Sequence, residues 1–252
     1  PSVCVSDGKV KIKISNAIKD VKYTFVSLLG VKVASLVARS SSDSLEISIS
    51  KLNPVLDSIV KTTLSVTGSV DGCLSTNYTD TSVVTINPEI DPTRTKFSKD
   101  TICSTATQAT IGVTNAIVGL KYVFMSNTTK LDSVVATQKN FNKTIAISKF
   151  TPIAPNAVNT FVLDVVGSTV DKGCAAKTFN SHPSVTINPS LLKGLPVFTD
   201  TAVCLAAVTA PVYIKNAIIG VKYVFSLGAK KIDSVTATSN PQLIKIRIDS
   251  LN

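Results

Sequence analysis

Five cysteines are the residues of this 252-residue chain whose type and spacing could carry chemistry. Cys4, Cys103 and Cys204 recur at intervals of about 100 residues, and Cys73 and Cys174 recur at a similar interval. Regular spacing favours structural disulfide bonds over free thiols if the chain is exported. Because the count is odd, at least one cysteine has no partner within the chain.

Apart from the cysteines, the chain contains few residues that could act in catalysis or bind a metal ion. His182 is the only histidine and lies before Pro183 in a loop, so a surface role is favoured over that of a catalytic base. Glu46 and Glu89 are the only glutamates. There is no Cys-x-x-Cys pair, zinc spacing, calcium loop or glycine-rich phosphate loop. The sequence therefore predicts no enzyme activity, no catalytic residues, no metal site and no cofactor.

The composition excludes several further classes of protein. With 44% hydrophobic and 17% charged residues, the chain can bury a core and is not intrinsically disordered. No apolar run approaches the roughly 18 residues that a membrane helix needs. The net charge of +10 comes mainly from dispersed lysines, without the arginine clusters that read bases. We expect no membrane span and no nucleic-acid partner. Lysines on solvated strand faces are favoured over weak attraction to anionic polysaccharide.

A tandem repeat positions the cysteines. The segment Asn16–Phe25 recurs as Asn115–Phe124 and Asn216–Phe225, and Val84–Pro88 recurs as Val185–Pro189. The period is about 100 residues, and a repeat of this length indicates an array of structural units. The predicted repeats span residues 1–88, 89–189 and 190–252, the last being an N-terminal part only.

The third repeat stops about halfway, because Ile248–Asn252 aligns with Ile49–Asn53 of the first repeat. The chain also begins at Pro1, without an initiator methionine or a signal peptide. We therefore expect it to be part of a longer protein that continues beyond Asn252, or to receive the missing strands from another chain.

Within a repeat, apolar residues alternate with a period of two, as in Lys9–Ile14 and Leu243–Ile248. Together with the many β-branched residues, this pattern predicts an all-β fold of immunoglobulin-like β-sandwich repeats. The strands predicted for the first repeat span residues 9–15, 21–28, 31–38, 44–50, 58–68 and 82–87.

The order of these elements resembles the immunoglobulin-like repeats of giant cell-surface adhesins that Bacteroidetes export through the type IX system, including gliding adhesins. The order is a cysteine, a strand, a Tyr-x-Phe strand, a Thr/Val-rich strand, Gly-Cys and Val-Thr-Ile-Asn-Pro. One departure is that Phe25, Phe124 and Phe225 stand where members usually have tryptophan. The resemblance implies export, display on the bacterial surface, and adhesion or filament building.

A second pattern resembles the O-glycosylation signal of secreted proteins of the same bacteria. Seven of the aspartates are followed by Ser or Thr and then an aliphatic residue. Modification is one explanation, and the other is that Asp-Ser is a favourable way to leave a turn and enter a strand. The candidate acceptors are Ser44, Ser58, Thr101, Ser133, Thr201, Ser234 and Ser250.

Two disulfide schemes remain open for the cysteines. Pairing within repeats would join Cys4 to Cys73 and Cys103 to Cys174. In an immunoglobulin-like sandwich, however, the first cysteine of a repeat lies near the first strand corner and the second at the final hairpin, at opposite ends. Head-to-tail stacking would instead bring Cys4 near Cys174 of the next repeat and staple neighbouring domains.

The function indicated is that of a structural and adhesive segment of a long extracellular surface protein, a disulfide-stabilised rod whose partners are neighbouring repeats. One alternative is a module that binds glycan or protein through the loops 74–81 and 175–183, where repeats differ most. Another is a protomer that assembles with copies of itself into a filament.

Overall fold

In the computed structural model, the described residues are 1–52, 54–55, 57–154, 157–171, 173–191, 196–199, 202–204 and 207–251. Across these ranges the chain is all β, with short 3-10 helices at Val5–Asp7, Ile49–Leu52, Ile147–Lys149 and Ile248–Leu251 and no α-helix. None of the described helices has the length and apolar character needed to cross a membrane. The prediction of an all-β, immunoglobulin-like chain is confirmed.

The strands follow the sequence repeat. In the first repeat they are β1 (Ser2–Cys4), β2 (Lys9–Ser15), β3 (Lys22–Ser27), β4 (Lys32–Val37), β5 (Ser42–Ser48), β6 (Val60–Ser69), β7 (Thr76–Asn77) and β8 (Ser82–Asn87). In the second they are β9 (Lys96–Phe97), β10 (Asp100–Cys103), β11 (Gln108–Thr114), β12 (Lys121–Ser126), β13 (Thr129–Val135), β14 (Phe141–Ala146), β15 (Asn159–Val162), β16 (Asp164–Ser168), β17 (Lys177–Thr178) and β18 (Ser184–Asn188). In the third they are β19 (Val197–Phe198), β20 (Thr209–Lys215), β21 (Lys222–Leu227), β22 (Lys230–Thr236) and β23 (Gln242–Arg247).

All six strands predicted for the first repeat are present, with ends that differ by at most about two residues. The sequence pattern missed β1 and β7, because two or three residues are too few to show an alternation of period two.

The chain divides into two compact units, and each contains residues from more than one repeat. The first unit comprises Pro1–Ser98, Gly112–Lys143 and Leu163–Pro183. The second comprises Lys99–Ile111, Thr144–Val162 and Ser184–Asn252.

In the first unit, the first repeat is a complete sandwich. One sheet has the strand order β1-β8-β6-β3-β4, with β7 added to β6, and the other consists of β2 and β5. β1 is parallel to β8, whereas β8, β6, β3 and β4 pair in antiparallel fashion. The same unit holds the sheet β13-β12-β16-β17, in which β12 repeats the pairing of β3.

The core of the first repeat lies between its two sheets. Val10, Ile12 and Ile47 from the smaller sheet pack in one buried cluster with Phe25 and Leu64 from the larger one. These are the inward-facing residues of alternating strands, so burial of the apolar face accounts for the period of two in the sequence.

The recurring Asn-Ala-Ile segment is a turn between strands. Asn16, Asn115 and Asn216 have φ values of 57°, 56° and 56°, a left-handed conformation that asparagine tolerates better than most residues. The tyrosine of each following strand accepts a hydrogen bond from the backbone N–H of the isoleucine in this turn, at 2.8 to 2.9 Å. Each turn is therefore held by a tyrosine hydroxyl from the neighbouring strand.

In the second unit, the strands form the sheets β10-β18-β15, β19-β20-β23 and β21-β22. β10 is parallel to β18, as β1 is to β8. The core of the third repeat is small, with Ile214, Ala217 and Ala237 buried and Tyr223 and Phe225 packed against them while partly exposed.

We predict that Tyr122→Phe destabilises the second repeat by about 1–3 kcal/mol, because the buried N–H of Ile117 loses its acceptor. The matched control is Tyr23→Phe. Its partner Ile18 is 62% exposed, so water can replace the lost hydroxyl and the cost should be smaller. Urea unfolding of both variants measures the difference, and equal losses would contradict the proposed role of burial.

Candidate functional site

The structure joins Cys4 to Cys174, at a sequence separation of 170 and a Cα–Cα distance of 4.9 Å. Of the two schemes that the sequence left open, this is the one between repeats. The pairs within repeats, Cys4–Cys73 and Cys103–Cys174, are not formed. Cys73, Cys103 and Cys204 are free and exposed.

The first strand brings Cys4 to the end of its own repeat. In the parallel pair of β1 and β8, Cys4 lies opposite Asn87. The fully buried Asn87 side chain donates hydrogen bonds from Nδ2 to Ser2 Oγ (2.9 Å) and to the Val3 carbonyl (3.0 Å). Asn87 therefore fixes the strand that carries the cysteine.

A hairpin of the second repeat carries the other cysteine. The buried Thr169 hydroxyl accepts hydrogen bonds from the backbone N–H groups of Gly173 (2.9 Å) and Cys174 (3.3 Å). The Cys174 sulfur lies 3.4 Å from the Pro88 carbonyl oxygen, a close contact rather than a hydrogen bond, because a disulfide sulfur has no proton to donate. The hairpin tip thus rests on the end of the first repeat.

Gly173 is at this position because no side chain fits. A Cβ atom built there would lie 1.8 Å from Nδ2 of Asn87 and 3.1 Å from Oγ of Ser2. The absence of a side chain allows the hairpin to approach closely enough for the sulfurs to bond. This explains why Gly precedes the second cysteine.

A second contact between the first two repeats lies at Asp57–Ile59. Ser58 forms an isolated parallel bridge with Val118, through hydrogen bonds from Val118 N–H to the Asp57 carbonyl (3.1 Å) and from Ile59 N–H to the Val118 carbonyl (3.0 Å). The side chain of Ile59 then packs on Gly119, where a Cβ atom would meet it at 3.0 Å. Gly119 also has a φ of 89°, which other residues rarely adopt.

The same contact recurs in the second unit. Ala157 bridges Ile219 in parallel, and a Cβ atom on Gly220 would meet Val158 at 2.8 Å. The first repeat has Asp20 at the position of Gly119 and Gly220. A recurring bridge and a glycine define one mode of contact between successive repeats.

Charged groups surround the first contact. The Asp57 carboxylate pairs with Arg94 and, at 2.9 Å, with Lys139. Hydrogen bonds from Lys139 and Arg94 lower the pKa of Asp57 below its ordinary value. Glu89 in the linker pairs with Lys177 of the hairpin at 3.3 Å. These pairs are half-buried at Asp57 and Arg94 and exposed at Lys139 and Lys177, and they contribute less than the disulfide, since solvent screens them.

In four of the described Asp-Ser and Asp-Thr pairs, the aspartate side chain accepts a hydrogen bond from a backbone N–H group. Asp43, Asp132 and Asp233 each accept a hydrogen bond from the N–H of the following serine, at 2.7 to 2.8 Å. Asp100 accepts one from Thr110 instead, at 2.6 Å. O-glycosylation stays a prediction for these acceptors. Their placements differ: Ser44, Ser58, Ser133 and Ser234 are half-buried, Thr101 is exposed, Ser250 belongs to the last 3-10 helix, and Thr201 lies outside the described residues.

His182 forms an exposed pair with Asp164, whose Oδ1 lies 3.1 Å from Nδ1. The neighbouring Ser181 hydroxyl accepts a hydrogen bond from Phe97 N–H. This serine is therefore occupied in a backbone contact. Across the described ranges, no group of three or more His, Cys, Asp or Glu side chains is arranged to hold a metal ion.

No family model and no curated protein matches this chain. Among solved structures, it is similar to one that concerns host cell surface retention of a 1.5-MDa bacterial ice-binding adhesin. The identity is 13% and the TM-score 0.26, over 99% of this chain and 83% of that one. It is also similar to the BSP domain of a biofilm-associated protein, with 15% identity and a TM-score of 0.26 over 76% of this chain and 29% of that one. A central fibronectin-III array of RIM-binding protein shares 14% identity, with a TM-score of 0.24 over 93% and 80%.

We predict that Gly173→Ala prevents formation of the Cys4–Cys174 disulfide, because the added methyl overlaps the Asn87 side chain. The measurement is alkylation of the unreduced, denatured protein followed by tryptic mapping. The parent chain should show Pro1–Lys9 linked to Gly173–Lys177, and the variant should show both peptides alkylated. The matched control is Gly72→Ala in the first repeat, where the φ of 81° is strained for alanine but no atom lies within 4 Å of the added Cβ, so it imposes backbone strain without the overlap. A linked pair in the Gly173 variant would contradict this account.

Proposed function

We propose that this chain is a segment of a long extracellular protein of the bacterial surface, in which disulfides between successive immunoglobulin-like repeats stiffen a rod that presents adhesive surface. The observation that carries the proposal is the Cys4–Cys174 bond between repeats. A bond placed inside one repeat would stabilise that repeat alone. Export through the type IX system and a role in gliding remain expectations from the sequence resemblance.

The disulfide changes how the chain carries tension. When the chain is pulled from its ends, force passes from Cys4 to Cys174 through the bond, and the residues between them carry none of it. The protected part includes nearly all of the first repeat and most of the second. Such a bypass suits a surface rod, because repeats that carry no load cannot be unfolded by it.

The two contacts reinforce one another mechanically. The hairpin tip is bonded at Cys174, and the bridge at Ser58 and Val118 joins the same two repeats at a different part of the chain. Two separate contacts restrict rotation between repeats, whereas a single flexible linker would allow it. We infer that bending at this junction is limited by geometry as well as by the short linker.

Force spectroscopy tests the load-bearing role. For 170 residues at about 3.3–3.6 Å each, the fully extended length should be roughly 560–610 Å shorter in the oxidised protein than in the reduced one. The Cys4→Ser/Cys174→Ser variant should show the longer extension with or without reductant. Equal extensions of oxidised and reduced parent protein would overturn the proposal.

A second candidate function, glycan binding, is favoured by a cavity in the first repeat. This cavity of about 300 Å³ is lined by Tyr23 and Tyr78, whose ring centroids lie 5.7 Å apart, and by polar side chains including Lys13, Asp80 and Thr81. The exposed ring of Tyr78, beside charged and hydroxyl groups, offers a stacking surface and the hydrogen bonds that a sugar requires. The loop 74–81, named from the sequence as a candidate, contributes to this cavity. The loop 175–183 instead contacts the linker through Lys177 and Asn180.

A glycan array tests this second function. If the cavity binds sugar, the parent chain should bind specific glycans and Lys13→Ala/Asp80→Ala should lose about tenfold or more in affinity, since two hydrogen-bonding groups are removed. The control variant is Lys61→Ala, an exposed lysine outside the cavity. Absence of binding by the parent chain would leave the rod as the better-supported function.

A further inference from the structure

A cavity of about 450 Å³ in the second unit contains one of the free cysteines. Its lining includes Cys103, Asn188 and Pro189 from the second repeat, together with Gly220 of the third and Val158. These residues occur one repeat after the residues that form the first junction, which are Cys4, Asn87, Pro88, Gly119 and Ile59. The cavity is therefore equivalent to the surface at the first junction on which a hairpin tip lies.

At the first junction that place is occupied by the tip of a hairpin. Cys174 is bonded to Cys4 and touches the Pro88 carbonyl, and Gly173 lies against Asn87. In the second unit, Cys103 and Asn188 hold the same register across the parallel pair of β10 and β18. The partner that the cavity fits is thus a hairpin with Gly-Cys at its tip.

The strand β21 supplies a second, independent observation. Its counterparts β3 and β12 each pair with strands on both sides, whereas β21 pairs with β22 alone among the residues described. Tyr223 and Phe225 of β21 are partly exposed, and the equivalent residues of the other repeats are buried. One edge of β21 is therefore open to an added strand.

The existing pairs specify the strand that would fit. Opposite the tyrosine lies Gly68 in one repeat and Gly167 in the other, and opposite the phenylalanine lies Val66 or Val165. A Cβ atom on Gly68 or Gly167 would lie 2.8 Å from an aromatic ring that follows the tip of the same hairpin, Tyr78 or Phe179, so glycine belongs to this hairpin type. The added strand should carry Val-x-Gly, with valine facing Phe225 and glycine facing Tyr223.

We propose that the open edge of β21 and the cavity at Cys103 form one acceptor site for a β-hairpin of this repeat type, with a Val-x-Gly strand and a Gly-Cys tip that Cys103 captures as a disulfide. Residues 159–188 are an example of such a hairpin. A single hairpin can occupy both the sheet edge and the cavity. At the first junction, β16 adds to the sheet edge at β12 while Cys174, at the tip of the same hairpin, bonds to Cys4.

The capture step is a thiol–disulfide exchange. The Cys103 thiol loses its proton to the solvent, and the thiolate attacks the hairpin cysteine, which is carried as a mixed disulfide with a small thiol. A sulfur–sulfur bond forms between Cys103 and the hairpin, and the small thiolate leaves with the electron pair. The external disulfide is thus the oxidant for the new bond.

A synthetic peptide of residues 157–189 tests the site, with its cysteine activated by thionitrobenzoate so that release is followed by absorbance. Three full-length chains are compared, each keeping one free thiol: C73S/C204S, C73S/C103S and C103S/C204S. Relative to activated glutathione, the peptide should react about tenfold faster with Cys103 than with the other two thiols, because docking raises the local concentration of its sulfur. A peptide carrying Gly173→Val should lose this preference.

Equal relative rates at the three cysteines would overturn the proposal. A second experiment covers the case in which the isolated peptide does not fold. The same hairpin, joined to Asn252 by a flexible Gly/Ser linker, should form a disulfide with Cys103 and leave Cys204 free. A disulfide to Cys204 instead would also overturn it. Dimers joining Cys103 to Cys73 of a second copy, formed without peptide, would support the site, because that copy's own hairpin carries Val66-x-Gly68 and a Gly72-Cys73 tip. None of these results depends on the force measurement at Cys4 and Cys174.

Discussion

Close approach of backbone at glycine is the constraint on which the junction between repeats depends. Gly173 lets a hairpin tip lie against Asn87, and Gly119 lets the next turn lie against Ile59. A side chain at Gly173 would push the hairpin tip away, and the Cys4–Cys174 bond requires Cα atoms only 4.9 Å apart. The covalent staple is thus the consequence of a packing contact, since a disulfide forms where the backbone already holds two sulfurs together.

This junction takes one feature from each of two repeats. The first repeat presents Cys4 beside the Asn-Pro that ends it, and the second reaches back with the Gly-Cys hairpin that carries Cys174. The bridge near Ser58 and its counterpart near Ala157 repeat the second contact. Contacts that join only nearest neighbours are typical of linear arrays, in which stability adds up from units and their shared surfaces.

The repeats differ at the turn that contacts a preceding repeat. Ile117 and Ile218 are 1% exposed and lie next to a contact with a preceding repeat, whereas Ile18 of the first repeat is 62% exposed. The first repeat also has Asp20, at a φ of 65°, where the others have glycine. The side chain at this position is therefore restricted where a preceding repeat packs on it, as at Gly119 and Gly220.

The sequence by itself determined six of the eight strands of the first repeat and the period of the array, because alternation of apolar residues acts over a few neighbouring residues. It also narrowed the cysteines to two pairing schemes. Only the tertiary structure decided between them, since a bond at a separation of 170 depends on how two repeats stack rather than on local spacing. The roles of Gly119, Asn87 and Thr169 were missed for the same reason: each acts on a partner distant in sequence or in a neighbouring loop. A signal for Gly119 was present, because glycine recurs at the equivalent position of the third repeat, Gly220. The contact of Gly119 with Ile59 gives the physical reason for this glycine.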